Sequence, residues 1–216
     1  DGLLNFVTED NGDLLLTGNL NLSLHNLFNK GESINLFWNS AGNERQEFFI
    51  KSKFPYLFGT KISSETNFHI YRQDSSFANT NFNTSLLYNL TNSLRVGLSF
   101  STEKSITTGN ASDFTNYSNL FSGIDLRYST ESLSVRINPE LGRRTTDNIT
   151  NQFKLQSDIS YTWKITNKSH IFIQNRTGIL NSNNYLINEL YRIGGANSIR
   201  GFNEQEFFTE NYSYLN

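Results

Sequence analysis

A chain of 216 residues with a net charge of −2, 18 Lys and Arg against 20 Asp and Glu, shows no clustered basic surface of the kind that nucleic acid or anionic lipid binding needs for counterion release. Only 36% of residues are apolar and the mean hydropathy is −0.49, yet aromatics reach 14%, with 18 Phe and 10 Tyr. That is too aromatic for a disordered chain and too polar for a helical membrane protein. The lack of Cys excludes a disulfide framework and thiolate metal sites. No apolar run approaches the roughly 18 residues of a transmembrane helix, so a form of this chain that spans a bilayer has to be a closed barrel, whose strands are apolar on one face only. The sequence starts at Asp1 and contains no Met, and is read as processed or partial, with any leader or N-terminal domain outside it.

Period-2 alternation, which sends successive side chains to opposite faces of a sheet, is the dominant pattern along the chain. Leu14, Leu16, Gly18, Leu20, Leu22 and Leu24 alternate with a mostly polar set running from Asp13 to Ser23, over the roughly 9–11 residues that a tilted membrane strand needs. Phe82, Thr84, Leu86 and Tyr88 repeat the pattern. Leu94, Val96, Leu98 and Phe100 then oppose Arg95, Gly97, Ser99 and Ser101, which are assigned to a wet face. Leu120, Ile124, Leu126 and Tyr128 oppose Gly123, Asp125 and Arg127. Leu133, Val135 and Ile137 oppose Ser134, Arg136 and Asn138, and Phe153, Leu155, Ile159 and Tyr161 oppose Lys154, Gln156, Asp158 and Ser160.

Short turns are predicted at 26–31, 55–60, 90–93, 129–132 and 164–168, and longer polar links at 73–79, 104–119, 142–150 and 181–206. That asymmetry is a second mark of a membrane barrel, with the short turns on one side of the bilayer and the long links on the other. Trp38, Phe54, Tyr56, Phe58, Tyr71, Tyr88, Tyr128, Tyr161 and Trp163 fall near strand ends, as interfacial girdles require. Counting from Gly2 gives about twelve strands, the last near residues 207–216, with no linker or domain boundary over 1–216. The expected fold class is all-β, a transmembrane antiparallel β-barrel. A soluble β-sandwich or lipocalin-like barrel alternates in the same way but points its apolar residues inward; strand number and loop asymmetry favour the membrane form.

The stretch from Glu189 to Phe202 carries the most specific signal: Glu189, Tyr191, Gly194 and Gly195, Ser198, then Ile199, Arg200, Gly201 and Phe202. It resembles the signature of the BamA/TamA superfamily of outer-membrane assembly and secretion barrels. There a Gly-Gly pair and a small polar residue precede a Val/Ile/Leu-Arg-Gly-Phe/Tyr tetrad, in the sixth extracellular loop between strands 11 and 12. The strand count puts the motif in the same place. Residues 26–31 and 54–59 resemble two short turns of the same family, and the Asn-, Lys- and Phe-rich style is similar to sequences from Bacteroidota.

The resemblance implies that 1–216 is about the first twelve strands of a sixteen-stranded barrel, with POTRA domains upstream and the closing strands downstream. It also implies that the loop folds back into the lumen, where Gly194, Gly195 and Gly201 allow turns closed to other residues. The fork of Arg200 would there pair bidentately with a carboxylate beyond residue 216. It further implies that Leu3, Leu4, Asn5, Phe6 and Val7 form the edge strand of a lateral seam, which templates a client strand by β-augmentation.

The histidines, His25, His69 and His170, carry no nucleophile-base-orienter pattern and no metal-ligand spacing. The chain is therefore expected not to be an enzyme and to need no cofactor. The Asn-x-Ser/Thr triplets follow from composition. Expected partners are the outer-membrane bilayer, client outer-membrane or secreted proteins, and accessory periplasmic or lipoprotein subunits, with no nucleic acid. Three functional classes stand: an assembly factor of BamA/TamA type, a two-partner-type secretion pore, and a passive porin-like channel, against which the motif argues.

Overall fold

In a computed structural model of the chain, residues 2–8, 14–40, 45–73, 77–107, 114–195, 198–203 and 206–216 are described, without the side chains of 14, 15, 45 and 73. The expectations that fell on Asp13, on the middle of the 104–119 link, and on Ala196 and Asn197 within the motif stretch lie outside the described residues. Fourteen strands are described: β1 Gly2–Thr8, β2 Leu14–His25, β3 Ser33–Ser40, β4 Arg45–Phe54, β5 Ile62–Gln73, β6 Phe77–Asn89, β7 Leu94–Thr107, β8 Tyr117–Ser129, β9 Leu133–Thr145, β10 Ile149–Lys164, β11 His170–Ser182, β12 Tyr191–Ile193, β13 Phe207–Thr209 and β14 Asn211–Leu215. Twelve of them follow one another in a single sheet, β1 through β11 and then β14, while β12 and β13 form a separate two-stranded hairpin inside the last long link.

The predicted twelfth strand at 207–216 is thus two strands. The break falls at Glu210, across which Thr209 Oγ1 donates to the Asn211 carbonyl at 2.6 Å, and only β14 joins the main sheet. The link predicted at 142–150 also contracts, because β9 runs to Thr145 and β10 starts at Ile149. The polar residues read as loop are strand. At 13 to 16 residues, β8 to β11 exceed the roughly 9–11 that a bilayer crossing takes, so their polar ends continue the pleat past the apolar band.

Contacts divide the chain into two compact units, Asp1–Leu86 with Ser101–Asn119, and Leu87–Phe100 with Leu120–Asn216. In the first, register puts Leu20, Trp38, Phe48 and Ile70 in one row and Leu22, Leu36, Ile50 and Phe68 in the next. The alternate rows are polar or mixed, as in Asn19, Asn39, Glu47 and Tyr71. Tyr71, assigned from sequence to a girdle, belongs to this polar face by parity and is buried there, tilted against Phe77 at 6.2 Å and His69 at 6.5 Å. Gly18 has φ 129, and a Cβ there would come within 1.9 Å of the Leu3 carbonyl oxygen. The close approach of β1 to β2 therefore needs glycine at this point. β1 has β2 as its neighbour in the sheet, and Leu3, Leu4, Asn5, Phe6 and Val7 are all exposed.

In the second unit the alternation is inverted relative to a soluble protein. Leu98 is 69% exposed, Ile124 48% and Trp163 57%, whereas Asp125 is 0% and Arg127 8%. Ser99, Asn138 and Glu140 are buried as well. Ser99 Oγ donates to Glu140 at 2.9 Å and accepts from Asn138 Nδ2 at 2.8 Å. Burying unpaired polar groups is costly, and on this face they are tied into networks. Parity assigns Ser99 to a wet face; in the structure its hydroxyl is buried and bonded to Glu140 and Asn138.

The β2–β3 turn is built on the left-handed residues Asn26 and Asn29, both at φ 56, and Gly31 at φ 75. Buried Glu32 closes it, accepting from the backbone N–H of Phe28 and, at 3.0 Å, from that of Lys30. The bond from Phe28 is the main cause that holds the Glu32 carboxyl below its ordinary value of 4.5, against desolvation, which pushes it up. With the folded value depressed, this contribution is present above pH 4.5 and is lost as pH falls through the lower folded value. Amide protection at Phe28 and Lys30 should therefore fall below that pH, and Glu32→Gln should lower it at neutral pH as well; hydrogen exchange reads both.

Candidate functional site in the loop between β11 and β14

The link after β11 turns back over the polar face of the second unit and is fastened at its base. A short 3-10 turn, Ile187–Glu189, presents Glu189, which ion-pairs with Arg144 of β9. The two side chains are only 1% and 2% exposed. Arg144 also donates through Nη1 to the Asn184 carbonyl at 3.2 Å, and its Nη2 reaches the Asn184 side-chain oxygen. Gln152 of β10 donates to the other Glu189 oxygen at 2.6 Å and to Ser182 Oγ at 3.2 Å. One carboxylate thereby gathers β9, β10 and the loop base.

The hairpin that follows pairs Tyr191 with Thr209, Arg192 with Phe208, and Ile193 with Phe207. Tyr191 meets Tyr212 of β14 edge-on at 5.0 Å, and Arg192 lies over the Phe208 ring at 5.1 Å. Tyr212 in turn lies over Gly178 of β11, where a Cβ would be 2.4 Å from the ring. Glycine on one strand thus makes room for an aromatic on the next.

At the tip, Gly194 (φ 124), Gly195 (φ 95) and Gly201 (φ 91) hold left-handed conformations that L side chains avoid. Ser198 Oγ accepts from the Gly194 N–H at 2.8 Å, and the Gly195 N–H donates to the Ile199 carbonyl at 3.2 Å. Gly194 and Gly195 are buried, Ser198 and Ile199 half-buried, and Arg200, Gly201 and Phe202 exposed. Phe202 packs edge-on against Phe207 at 4.9 Å. The structure thus gathers Gly194, Gly195, Ser198, Ile199, Gly201 and Phe202 into one turn, with Arg200 at its exposed side. Leu3 to Val7 belong to the first unit.

Sequence reasoning singled out Arg200 and missed Arg144. Parity offers a signal, since Arg144 falls in the same alternate set as Asn138 and Glu140, but its polar surroundings predict a link at 142–150. Its partner lies 45 residues away, and only register brings the two together.

No family model and no curated protein sequence matches this chain. Solved structures do. CdiB from Acinetobacter baumannii matches over 99% of this chain and 44% of its own, with TM-score 0.61 and 14% identity. BamA from Haemophilus ducreyi, in a crystal structure lacking POTRA domains 1–3, matches over 95% of this chain and 51% of its own, with TM-score 0.59 and 14% identity. The fold is that of part of such a barrel. The chain spans about half the length of the solved structures it matches.

Removing one member of a buried ion pair strands the other charge and costs about 3–5 kcal/mol. Arg144→Met and Glu189→Leu should each free the loop base, seen as new protease cleavage within 183–206 in a barrel that still folds. The double variant should be milder than the two effects added. Equal protection in all variants would remove the pair from this role.

Proposed function

We propose that this chain is the larger part of an outer-membrane barrel that inserts, assembles or translocates outer-membrane or secreted proteins. The observation that carries the reading is the tethered loop: an acidic residue, a Gly-Gly turn and an Ile-Arg-Gly-Phe tetrad, held over a polar sheet face by the buried Arg144–Glu189 pair. A loop built this way is what the resemblance to the BamA/TamA superfamily implies, and the fold likeness supports it. The membrane location rests on the inverted sheet, because an exposed apolar face is stable against lipid and a liability against water. The role is mechanical and needs no catalytic group or cofactor: the bilayer holds one face, and the client contacts the other face or the exposed edge at β1.

Depleting the full-length protein in its own cells should lower the amount of folded outer-membrane or secreted client proteins. Rescue should need Arg144 and Glu189. Unchanged clients with loss of small-solute uptake would make it a passive channel. Within the same assay, Leu98→Arg places a charge on the face assigned to lipid, at a cost of about 2–4 kcal/mol near the midplane, and should impair membrane folding. Gln156→Arg, on the other face and exposed, should be tolerated; equal effects would reverse the assignment of faces.

A further inference from the structure

The polar face of the second unit also carries a cationic recess. Register places Arg136 of β9, Asp158 of β10 and Arg176 of β11 on one rung. Arg176 Nε is 3.2 Å from Asp158, which also accepts from Gln174 at 2.9 and 3.1 Å. Asp125 is fully buried and engaged by two guanidiniums, those of Arg127 and Arg136, each with Nη2 at 2.8 Å. A recess of about 330 Å³ next to this rung is lined by Arg95, Arg127, Arg136, Asp158, Ser160 and Gln174, among others. Four guanidiniums, counting Arg176, thus surround two aspartates.

The aspartates are occupied, while Arg136 retains donor capacity. Among the described residues Arg136 commits Nε and Nη2 to Asp125, out of five N–H donors on a guanidinium. The side chains of Arg136 and Arg176 are 43% and 39% exposed, and that of Arg136 lines the recess. Arg136 and Arg176 stand two strands apart, roughly 10 Å. An extended chain places same-face side chains about 6.6–6.8 Å apart, close enough for alternate carboxylates to reach neighbouring guanidiniums. A lipid anion would approach from the apolar face, opposite the recess.

We propose that this recess binds the carboxylates of an acidic, extended polypeptide segment, giving the barrel a preference for acidic clients or acidic client segments. This deepens the proposed role in handling client polypeptides and rests on it.

The test uses full-length protein in a neutral detergent and a dye-labelled peptide of about ten residues, long enough in extended form to cross the rung, with Glu at alternate positions. Fluorescence anisotropy should show binding that weakens with salt, while the peptide with Gln for Glu binds at least about tenfold less tightly, as expected from loss of charge-assisted bonds. Arg136→Gln with Arg176→Gln should cut affinity for the Glu peptide by a similar factor. Arg143→Gln, an exposed position of opposite parity on the same strand, should not. If the double Gln variant does not fold, Arg136→Lys with Arg176→Lys keeps the charge, loses the fork, and should bind with intermediate affinity.

Equal binding of Glu and Gln peptides, or indifference to both the Gln and the Lys variants, would overturn the proposal. So would displacement of the Glu peptide by inorganic phosphate at matched charge concentration, which would mark a site for small anions. Loss of peptide preference alongside intact dependence of client assembly on Arg144 would sink the recess and leave the assembly reading standing.

Discussion

A sheet that buries its polar face must find partners for the charged groups on it, and much of this molecule follows from that constraint. In a soluble sandwich the covered face is greasy and indifferent to detailed pairing. Here it carries Ser99, Asp125, Arg127, Asn138, Glu140, Arg144 and Gln152, and each is tied to a neighbour by specific geometry. The cost of an unpaired buried charge decides which residues can sit side by side. Asp125 is retained because two guanidiniums grip it, and Glu189 because Arg144 and Gln152 do.

The same constraint links fold to loop. A link of more than 25 residues between β11 and β14 would cost ordering entropy if it only lay on the surface. It is held by supplying the carboxylate that Arg144 needs, and by Tyr191 packing on Tyr212 of the strand that follows it. The loop and the polar face therefore complete each other. The apolar face, free of such demands, exposes Leu98, Ile124 and Trp163, and a bilayer is the environment in which that exposure is stable.

Much of this was legible in the sequence because strand alternation is a local signal. The face of each residue in β7 to β10 follows from parity, and the Asn- and Gly-rich turn at 26–31 announces itself by the residues that tolerate φ > 0. What was not legible depends on register and on distance along the chain. Arg144 falls in a predicted link because polar strand ends past the apolar band look like loops. Its pairing with Glu189, 45 residues on, needs the whole sheet to be in place. Tyr71 suggests a girdle by its aromatic character, whereas parity with Glu47 and Asn39 sends it to the buried polar face. The three-residue strands β12 and β13 are too short for any periodicity to show.

Site-directed spin labelling tests the inverted sheet, and these 216 residues contribute no Cys of their own. Single cysteines at Leu98, Leu120, Ile124 and Leu126, and at Gln156 and Ser160, would be labelled in the full-length protein reconstituted in lipid. Collision rates with oxygen, which concentrates in the bilayer, would be compared with those of a water-soluble nickel complex. The account predicts oxygen-dominated collisions at the first four positions, and at Gln156 and Ser160 collisions either dominated by nickel or low with both. Nickel-dominated collisions at Leu98, Ile124 and Leu126 would place that face in water and contradict it.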